Sequence, residues 1–462
     1  MPNTYLSKTY SGNGNRNKGT ISVWCKFSDA GASADSTIFG AGNTGNDSDC
    51  TFLSVNGNGF GNVSTRQIIF ALRISGGTVY KAVSNNLLRD VNGWYHIVVR
   101  WDTTLGTPNC DIYLNGEEVS YSSNNWSSVS QNTNTYIGGT AQPHYIGRGA
   151  TNAMQNNYMD GYLSHMHYCD GYYYDASTFG STDATTGEWK INTSPSVTYG
   201  TNGFFLFKDN ASTTDQSGQG NNWSVTAGAL VDTKDNPSNN FATSNVLDNG
   251  ADKAPTFGNG NLTHSVGSSV WRFVASTLGA HKGKFYSEIK IHSVSNNVML
   301  GAGDRFDIDN NDMAYNAYPG GEPLGVGYLA SNGNSYLNDS GSSYGNSYTA
   351  NDIIGVAMDI DNGYVYFSKN GTFQDSGDPT SGSSGTGGIA FPSTSSATGI
   401  KQFMPGLNNA NISVNYGGGH FGVTAISTNS GNGYAGVEGD SKFNYQPPTG
   451  YAALSTKGLN YF

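Results

Sequence analysis

Three side chains able to move protons or hold charge, His96, Arg100 and Asp102, share the run GWYHIVVRWD at 93–102. A histidine that titrates near neutrality, set beside a carboxylate, is the raw material of general acid–base catalysis. The spacing argues for a plainer role. Side chains on a β-strand alternate faces, so Tyr95, Ile97, Val99 and Trp101 point one way and His96, Val98, Arg100 and Asp102 the other. One face is then core, and the polar one is expected in solvent or a shallow groove. On this reading Trp101 carries stability and His96 is nearly dispensable.

SHMHYC puts His165, His167 and Cys169 on one face of a strand, where a His-x-His pair could chelate a transition metal. The first and third of these lie about 13 Å apart at roughly 3.3 Å per residue, too far to share one ion. Hard oxygen donors gather instead in GDRFDIDNND at 303–312, where Asp304, Asp307, Asp309 and Asp312 form a candidate calcium loop. It is not an EF-hand, because counting from Asp307 the loop glycine and closing glutamate fall on Asp312 and Tyr318. Calcium apart, no cofactor is implied: there is no phosphate-cradling loop ending in Gly-Lys-Ser/Thr and no Gly-x-Ser-x-Gly turn. No catalytic residue is assigned.

The elements that must position these groups are strands. Across 462 residues, 63 are glycine and only 12% are charged, about half the usual ~25%. Asn, Ser, Thr and Tyr fill the difference, and no long window carries the 3.6-residue period of a helix rich in Ala, Leu, Glu and Lys. The length suggests two or three domains. A net charge of −11 argues against sequence-blind nucleic-acid binding, which needs a basic surface. The start has no apolar signal core, and no apolar run of about 18 residues occurs, so neither a secretory signal nor a membrane span is expected. Cys25, Cys50, Cys110 and Cys169 lack the close spacing of a disulfide framework or zinc site and are expected as free, mostly buried thiols.

From about residue 20 to 170 short alternating segments (TISVWCKF, IIFALRI, WYHIVVRW, CDIYLNGEEV, YIGRG, MDGYLSHMHY) lie between Gly/Asn turns, with Asn115-Gly116 a hairpin signal. In this order they resemble the laminin-G and concanavalin-A-like lectin superfamily over residues 1–235, which implies a two-sheet jelly roll. A low-complexity linker is expected at 236–261. Beyond it, GKFYSEIKI, NVMLGAG, GVGYLASNG and NDIIGVAMDIDNGYVYFSKNG resemble a SPRY (B30.2) domain, a second β-sandwich placed at 262–445, with a tail at 446–462. The last of these reads as a hairpin turning at Asp361-Asn362-Gly363. The fold class is therefore all-β, two β-sandwich domains in series. The stretch from Asp160 to Trp223 and the terminal FNYQPPTGYAALSTKGLNYF are similar to segments of bacteriophage virion proteins, notably of marine phages.

Glycoside hydrolases of the lectin-like superfamily use paired carboxylates, written Glu-x-Asp-x-Glu in the laminarinase-like branch. None of the six glutamates fits; the nearest segment, EGDSK at 438–442, ends in Lys442 and lies outside that domain. Recognition suits the composition better, since tyrosine and tryptophan faces stack on sugars while Asn, Asp and Ser hydrogen-bond. Candidate ligand-binding clusters are Tyr172, Tyr173 and Tyr174; Asn124, Asn125 and Trp126; and Tyr315, Tyr318 and Tyr328. The resemblance implies a non-enzymatic phage surface protein (tail fibre, capsid fibre or decoration) that attaches the virion or recognises host glycan. The alternatives left open are a structural decoration that binds no host ligand and, behind it, a polysaccharide-degrading glycoside hydrolase working through a pair of aspartates. The implied partners are other virion proteins, a host-surface glycan and further copies of the chain, with neither nucleic acid nor membrane.

Overall fold

Alternation of apolar with small polar residues resolves into strands almost throughout, and the computed structural model describes residues 4–28, 36–43, 49–55, 66–74, 77–140, 142–247, 255–304, 318–321, 325–392, 399–426 and 433–462. Among the described residues one short α-helix occurs, α1 at Thr456–Tyr461, and the chain divides into two compact units, Met1–Leu230 and Val231–Phe462.

The first unit holds β1 (Tyr5–Thr9), β2 (Lys18–Phe27), β3 (Ser36–Gly42), β4 (Cys50–Val55), β5 (Gln67–Ile74), β6 (Thr78–Leu87), β7 (Tyr95–Asp102), β8 (Asn109–Leu114), β9 (Glu117–Glu118) and β10 (Tyr121–Asn124). It continues through β11 (Pro143–Ile146), β12 (Gly161–Asp170), β13 (Gly180–Thr182), β14 (Trp189–Ile191), β15 (Phe204–Leu206) and β16 (Ser224–Ala227). An eight-stranded sheet runs β10-β6-β5-β4-β3-β11-β1-β16 and a six-stranded sheet β15-β12-β2-β7-β8-β9. The two enclose one core. Ile97, Val99 and Trp101 of β7 enter it with Ile21 and Val23 of β2 and Phe70 of β5. Trp101 is fully buried, lies parallel to the Tyr168 ring at 6.2 Å and sits 5.2 Å from Phe70. The expected hairpin forms: Asn115 and Gly116 take φ of 49° and 85°, the pair of positive angles a tight turn demands, and Leu114 faces Glu117. All four cysteines are free and buried.

The second unit holds β17 (Thr256–Gly258), β18 (Thr263–Phe273), β19 (Lys284–Asp304), β20 (Gly325–Leu329), β21 (Asn334–Leu337), β22 (Ser340–Ser343), β23 (Ile353–Asp359) and β24 (Tyr364–Lys369). Then follow β25 (Thr372–Phe373), β26 (Ile389–Ala390), β27 (Lys401–Asn415), β28 (His420–Phe421), β29 (Thr424–Ala425) and β30 (Ala452–Ala453). Its spine is the long antiparallel pair β19–β27, whose register breaks between Ile291 and Ser293 and between Val294 and Asn297. Such bulges bend strands, and here they separate the half of β19 paired with β23 from the half paired with β20. The β23–β24 hairpin turns between Asp359 and Tyr364, as its Asp-Asn-Gly signal predicts.

Described residues within the expected linker and tail take part in this unit. Phe241 and Ala242 are buried, Phe241 bridges Ser455, and Thr256–Gly258 pairs with β18. Tyr451 through Leu454 are fully buried. Just before them, buried Glu288 accepts the backbone amides of Asn444 and Tyr445, each at 2.7 Å, and burial pushes its carboxyl up to about 7 against the pull of those donors. Low-complexity composition marks polar chain, and it does not distinguish a free linker from one that finds backbone partners.

Burial also sets the acid response of the first unit. Desolvation pushes His96 down to about 3, His144 and His165 to about 4, and His167 well below its usual range. An unfolded histidine gains its proton near 6.5. Below that pH the unfolded chain binds protons the native unit refuses, so stability falls as pH drops through the window from about 6.5 toward 4, by about 1.4 kcal/mol per pH unit for each histidine. The unfolding midpoint of this unit is expected to fall steeply between pH 6.5 and 4.5. A flat midpoint over that range contradicts the assignment.

Candidate functional site

The outer face of the six-stranded sheet, expected in solvent, is covered. After β12 the chain crosses back over it, and the β13–β14 hairpin lays Trp189 on His96. The imidazole is fully buried, stacks near-parallel on Trp24 (4.8 Å, 17°) and has Trp189 near-coplanar at its edge (6.0 Å, 18°). Trp189 Nε1–H donates to His96 Nδ1 at 2.9 Å, and an indole N–H is only ever a donor. Nδ1 is therefore bare, Nε2 carries the hydrogen, and it donates to Ser22 Oγ at 2.8 Å. This histidine is a neutral structural pin. Gly116 makes room for the cover, since a Cβ there would fall 2.3 Å from the Trp189 ring. Alternation along β7 correctly separates core from non-core faces; it does not reveal that a second layer closes the other side.

Arg100 organises the neighbouring patch. It donates to Asp111 (2.9 Å) and Asp175 (3.2 Å), and its guanidinium lies 5.0 Å from the Tyr113 ring centroid and 4.4 Å from that of Tyr173. Burial opposes its charge, but the Asp111 bond and the surrounding phenols outweigh that and raise its pKa. Tyr173 donates its hydroxyl to Asp111 at 2.5 Å and is thereby turned into the scaffold. Its neighbours are displayed. Tyr172 is 39% exposed, and half-buried Tyr174 lies near-parallel to it at 5.9 Å and 11°. One buried hydroxyl fixes both: Thr20 Oγ1 donates to the Tyr172 carbonyl at 2.8 Å and accepts the Tyr174 amide at 2.9 Å. The Tyr174 hydroxyl also accepts the Thr198 amide at 2.9 Å. The result is a rigid aromatic ledge of the kind that loses little entropy on binding. Thr20 lies 152 residues from Tyr172 and carries no local sequence signal.

The other sequence candidates part ways. Trp126 is fully buried and lies parallel to Phe70 at 5.5 Å, so it is core and faces no ligand. Asn124 and Asn125 spend their amides internally, on Cys110 O and the Trp126 amide and on Val79 O and the Lys81 amide. Tyr328 is likewise core, its hydroxyl donated to Asn346 O. Tyr318 is half-buried, donates to Asp339 and sits 5.2 Å from Trp271 and 6.4 Å from Tyr336. Tyr315 lies outside the described residues, as do Asp307, Asp309 and Asp312. Asp304 is buried and paired with Lys401 at 2.8 Å, which already neutralises one oxygen of the proposed calcium set. Among the described residues no three His, Cys, Asp or Glu side chains gather as a metal site. His165 takes φ of 45° at a register break in β12, which disrupts the shared face expected for the His-x-His pair, and His167 is bonded to Tyr199 at 2.9 Å.

With this geometry in hand, comparison with known families is specific. The model of the concanavalin A-like lectin/glucanases superfamily matches residues 3–171, and that of the SPRY domain matches 284–404. The chain carries a concanavalin-A-like lectin domain followed by a SPRY domain. Among solved structures it is similar to the SPRY domain of human HERC1 (16% identity, 33% of this chain and 87% of that one, TM-score 0.25). It is also similar to a candidate carbohydrate binding protein from Bacteroides ovatus ATCC 8483 (16% identity, 50% and 59% covered, TM-score 0.32). A third is the native heptameric SAP-like pentraxin from Limulus polyphemus (15% identity, 44% and 84% covered, TM-score 0.30). No curated protein matches the chain.

The aromatic ledge of the lectin-like domain hangs on the covered sheet face, so His96 matters to it. His96→Ala is expected to cost about 2–5 kcal/mol, in the range of Trp101→Ala at about 3–5, because it opens a void and orphans Trp189 Nε1. Urea unfolding of both variants decides this. A cost for His96→Ala within ~0.5 kcal/mol of zero, typical of a surface site, contradicts it.

Proposed function

We propose that the chain is a non-catalytic recognition protein of a bacteriophage virion surface, a tail fibre, capsid fibre or decoration, that attaches the particle to host glycan through its lectin-like domain. The observation that carries the glycan reading is the Tyr172–Tyr174 ledge, whose backbone Thr20 holds while Tyr172 stays exposed; the virion placement rests on the resemblance of 160–223 and of the terminal segment to phage proteins. Ring faces held in this way suit the C–H faces of a sugar.

The state of the acids supports binding over chemistry. Of the buried carboxylates among the described residues, Asp102, Asp304 and Asp359 are paired with Lys18, Lys401 and Lys284 at 2.6, 2.8 and 2.8 Å, and Asp111 with Arg100. Asp170, Asp215, Asp235 and Glu288 accept backbone amides. Each is occupied in holding the fold, whereas glycoside hydrolysis needs two carboxyls facing across a sugar. A single weak contact becomes useful through copies, since linked sites gain roughly 10²–10⁴ in avidity. The reading therefore includes homo-oligomers or many chains on one particle, anchored by other virion proteins.

Tyr172→Ala is expected to weaken binding of the chain to host-surface glycan about tenfold, a loss of about 1.4 kcal/mol, without moving its unfolding midpoint. Imaging of the particle should place the chain at its surface, and purified chain should compete for adsorption. Undiminished adsorption in the presence of excess chain, together with no glycan binding, points instead to a structural decoration; release of reducing ends from the glycan points to an enzyme.

A further inference from the structure

We propose a second, distinct binding site on the lectin-like domain, centred on Arg148 and selective for sugars that carry a carboxylate, as the uronates of acidic polysaccharides do. It rests on the glycan-recognition reading but not on the Tyr172 ledge.

Within the eight-stranded sheet β1 pairs with β11, and the facing residues Leu6 and Ile146 both enter the core. Their neighbours Tyr5 and Tyr145 therefore lie on the opposite face. The chain turns at Gly147, with φ of 80°, and delivers Arg148 against both rings. The guanidinium carbon is 5.0 Å from the Tyr5 ring centroid and 4.8 Å from that of Tyr145. The Tyr5 ring meets Tyr145 at 5.8 Å and 65°, and Tyr158 at 6.1 Å and 44°. Nε donates to Gln155 O at 3.1 Å.

That accounts for one of the five guanidinium N–H groups. Among the described residues the two terminal amino groups make no hydrogen bond and no ion pair, although the guanidinium rests against two rings and is tied through Nε. Arg100 shows the contrast, with its fork taken up by two carboxylates and a phenol. A guanidinium already fixed by two rings and by Nε has paid most of its ordering cost, and its remaining N–H pairs match the two oxygens of a carboxylate. Tyr5 and Tyr158, half-buried beside it, supply apolar surface for the sugar ring. The whole chain carries a net charge of −11, which repels a polyanion, so capture of an acidic polymer has to come from a local, directional contact.

The test measures binding of the full chain to polygalacturonate, to its methyl ester and to a neutral dextran, for the wild type and for Arg148→Lys, Arg148→Ala and Tyr172→Ala. Lysine keeps the charge and loses the fork. The expected result is saturable binding of polygalacturonate, at least tenfold weaker binding of the ester, and at least tenfold weaker polygalacturonate binding in both Arg148 variants with unfolding midpoints unchanged. Retention of that binding in Tyr172→Ala would separate the two sites. Equal binding of ester and acid, or full binding by Arg148→Lys and Arg148→Ala, overturns the proposal. Binding of the dextran that Tyr172→Ala abolishes, with none of the polygalacturonate, overturns it while leaving the glycan reading intact; Arg148-dependent capture without competition for host adsorption supports it while removing that reading.

Discussion

A buried imidazole, stacked on Trp24 and bonded at its edge to Trp189, fastens the cover on the outer face of the lectin-like domain's six-stranded sheet, beside Val98, Ala176 and Phe179. The contact of His96 with Trp189 works only with a neutral ring, because Trp189 has a hydrogen to give and nothing to accept with. Much else follows from that closure. It holds down the segment after β12, which carries Tyr173 onto Arg100 and leaves Tyr172 and Tyr174 displayed. The buried histidines and carboxylates serve the same end: each histidine is kept neutral by burial, and each carboxylate is matched to a cation or to backbone amides.

How far the sequence could be read follows from the kind of information each feature needs. Period-two alternation was enough to put Ile97, Val99 and Trp101 in the core, and Asn-Gly and Asp-Asn-Gly turns were enough to fold two hairpins, because both are local properties of the chain. The cover over His96 is tertiary and has no local signature. The same limit separates the tyrosines: Tyr172 and Tyr328 look alike in sequence, yet one is 39% exposed and the other is fully buried. Trp126 sits in a polar Asn-Asn-Trp-Ser-Ser setting and nevertheless turns in to meet Phe70, since its ring area gains most from burial. Arg148 could not be singled out at all, because its interest lies in hydrogen bonds it does not make.

The second unit shows the same logic with different residues. Its spine is one bent pair of strands, and its C-terminal stretch is captured by Glu288, a carboxylate that gives up water for two backbone amides. Described residues such as Phe241, Ala242 and Tyr451, in segments that composition marks as linker and tail, are buried in this unit. Each unit completes itself with chain distant in sequence, Thr20 with Tyr172 in one and Glu288 with Asn444 in the other.

The central claim is that the lectin-like domain holds a pre-formed ledge that binds glycan without altering it. Thr20→Val addresses it directly, because it removes the hydroxyl that pins Tyr172 and Tyr174 and spares the rings themselves. The decisive measurement follows affinity for host polysaccharide by calorimetry alongside the polymer's mass by light scattering. The account predicts saturable binding by the native chain, several-fold weaker binding by Thr20→Val, and polymer mass constant throughout. Polymer mass that falls at sub-stoichiometric protein, or affinity that ignores the loss of the hydroxyl, would contradict it.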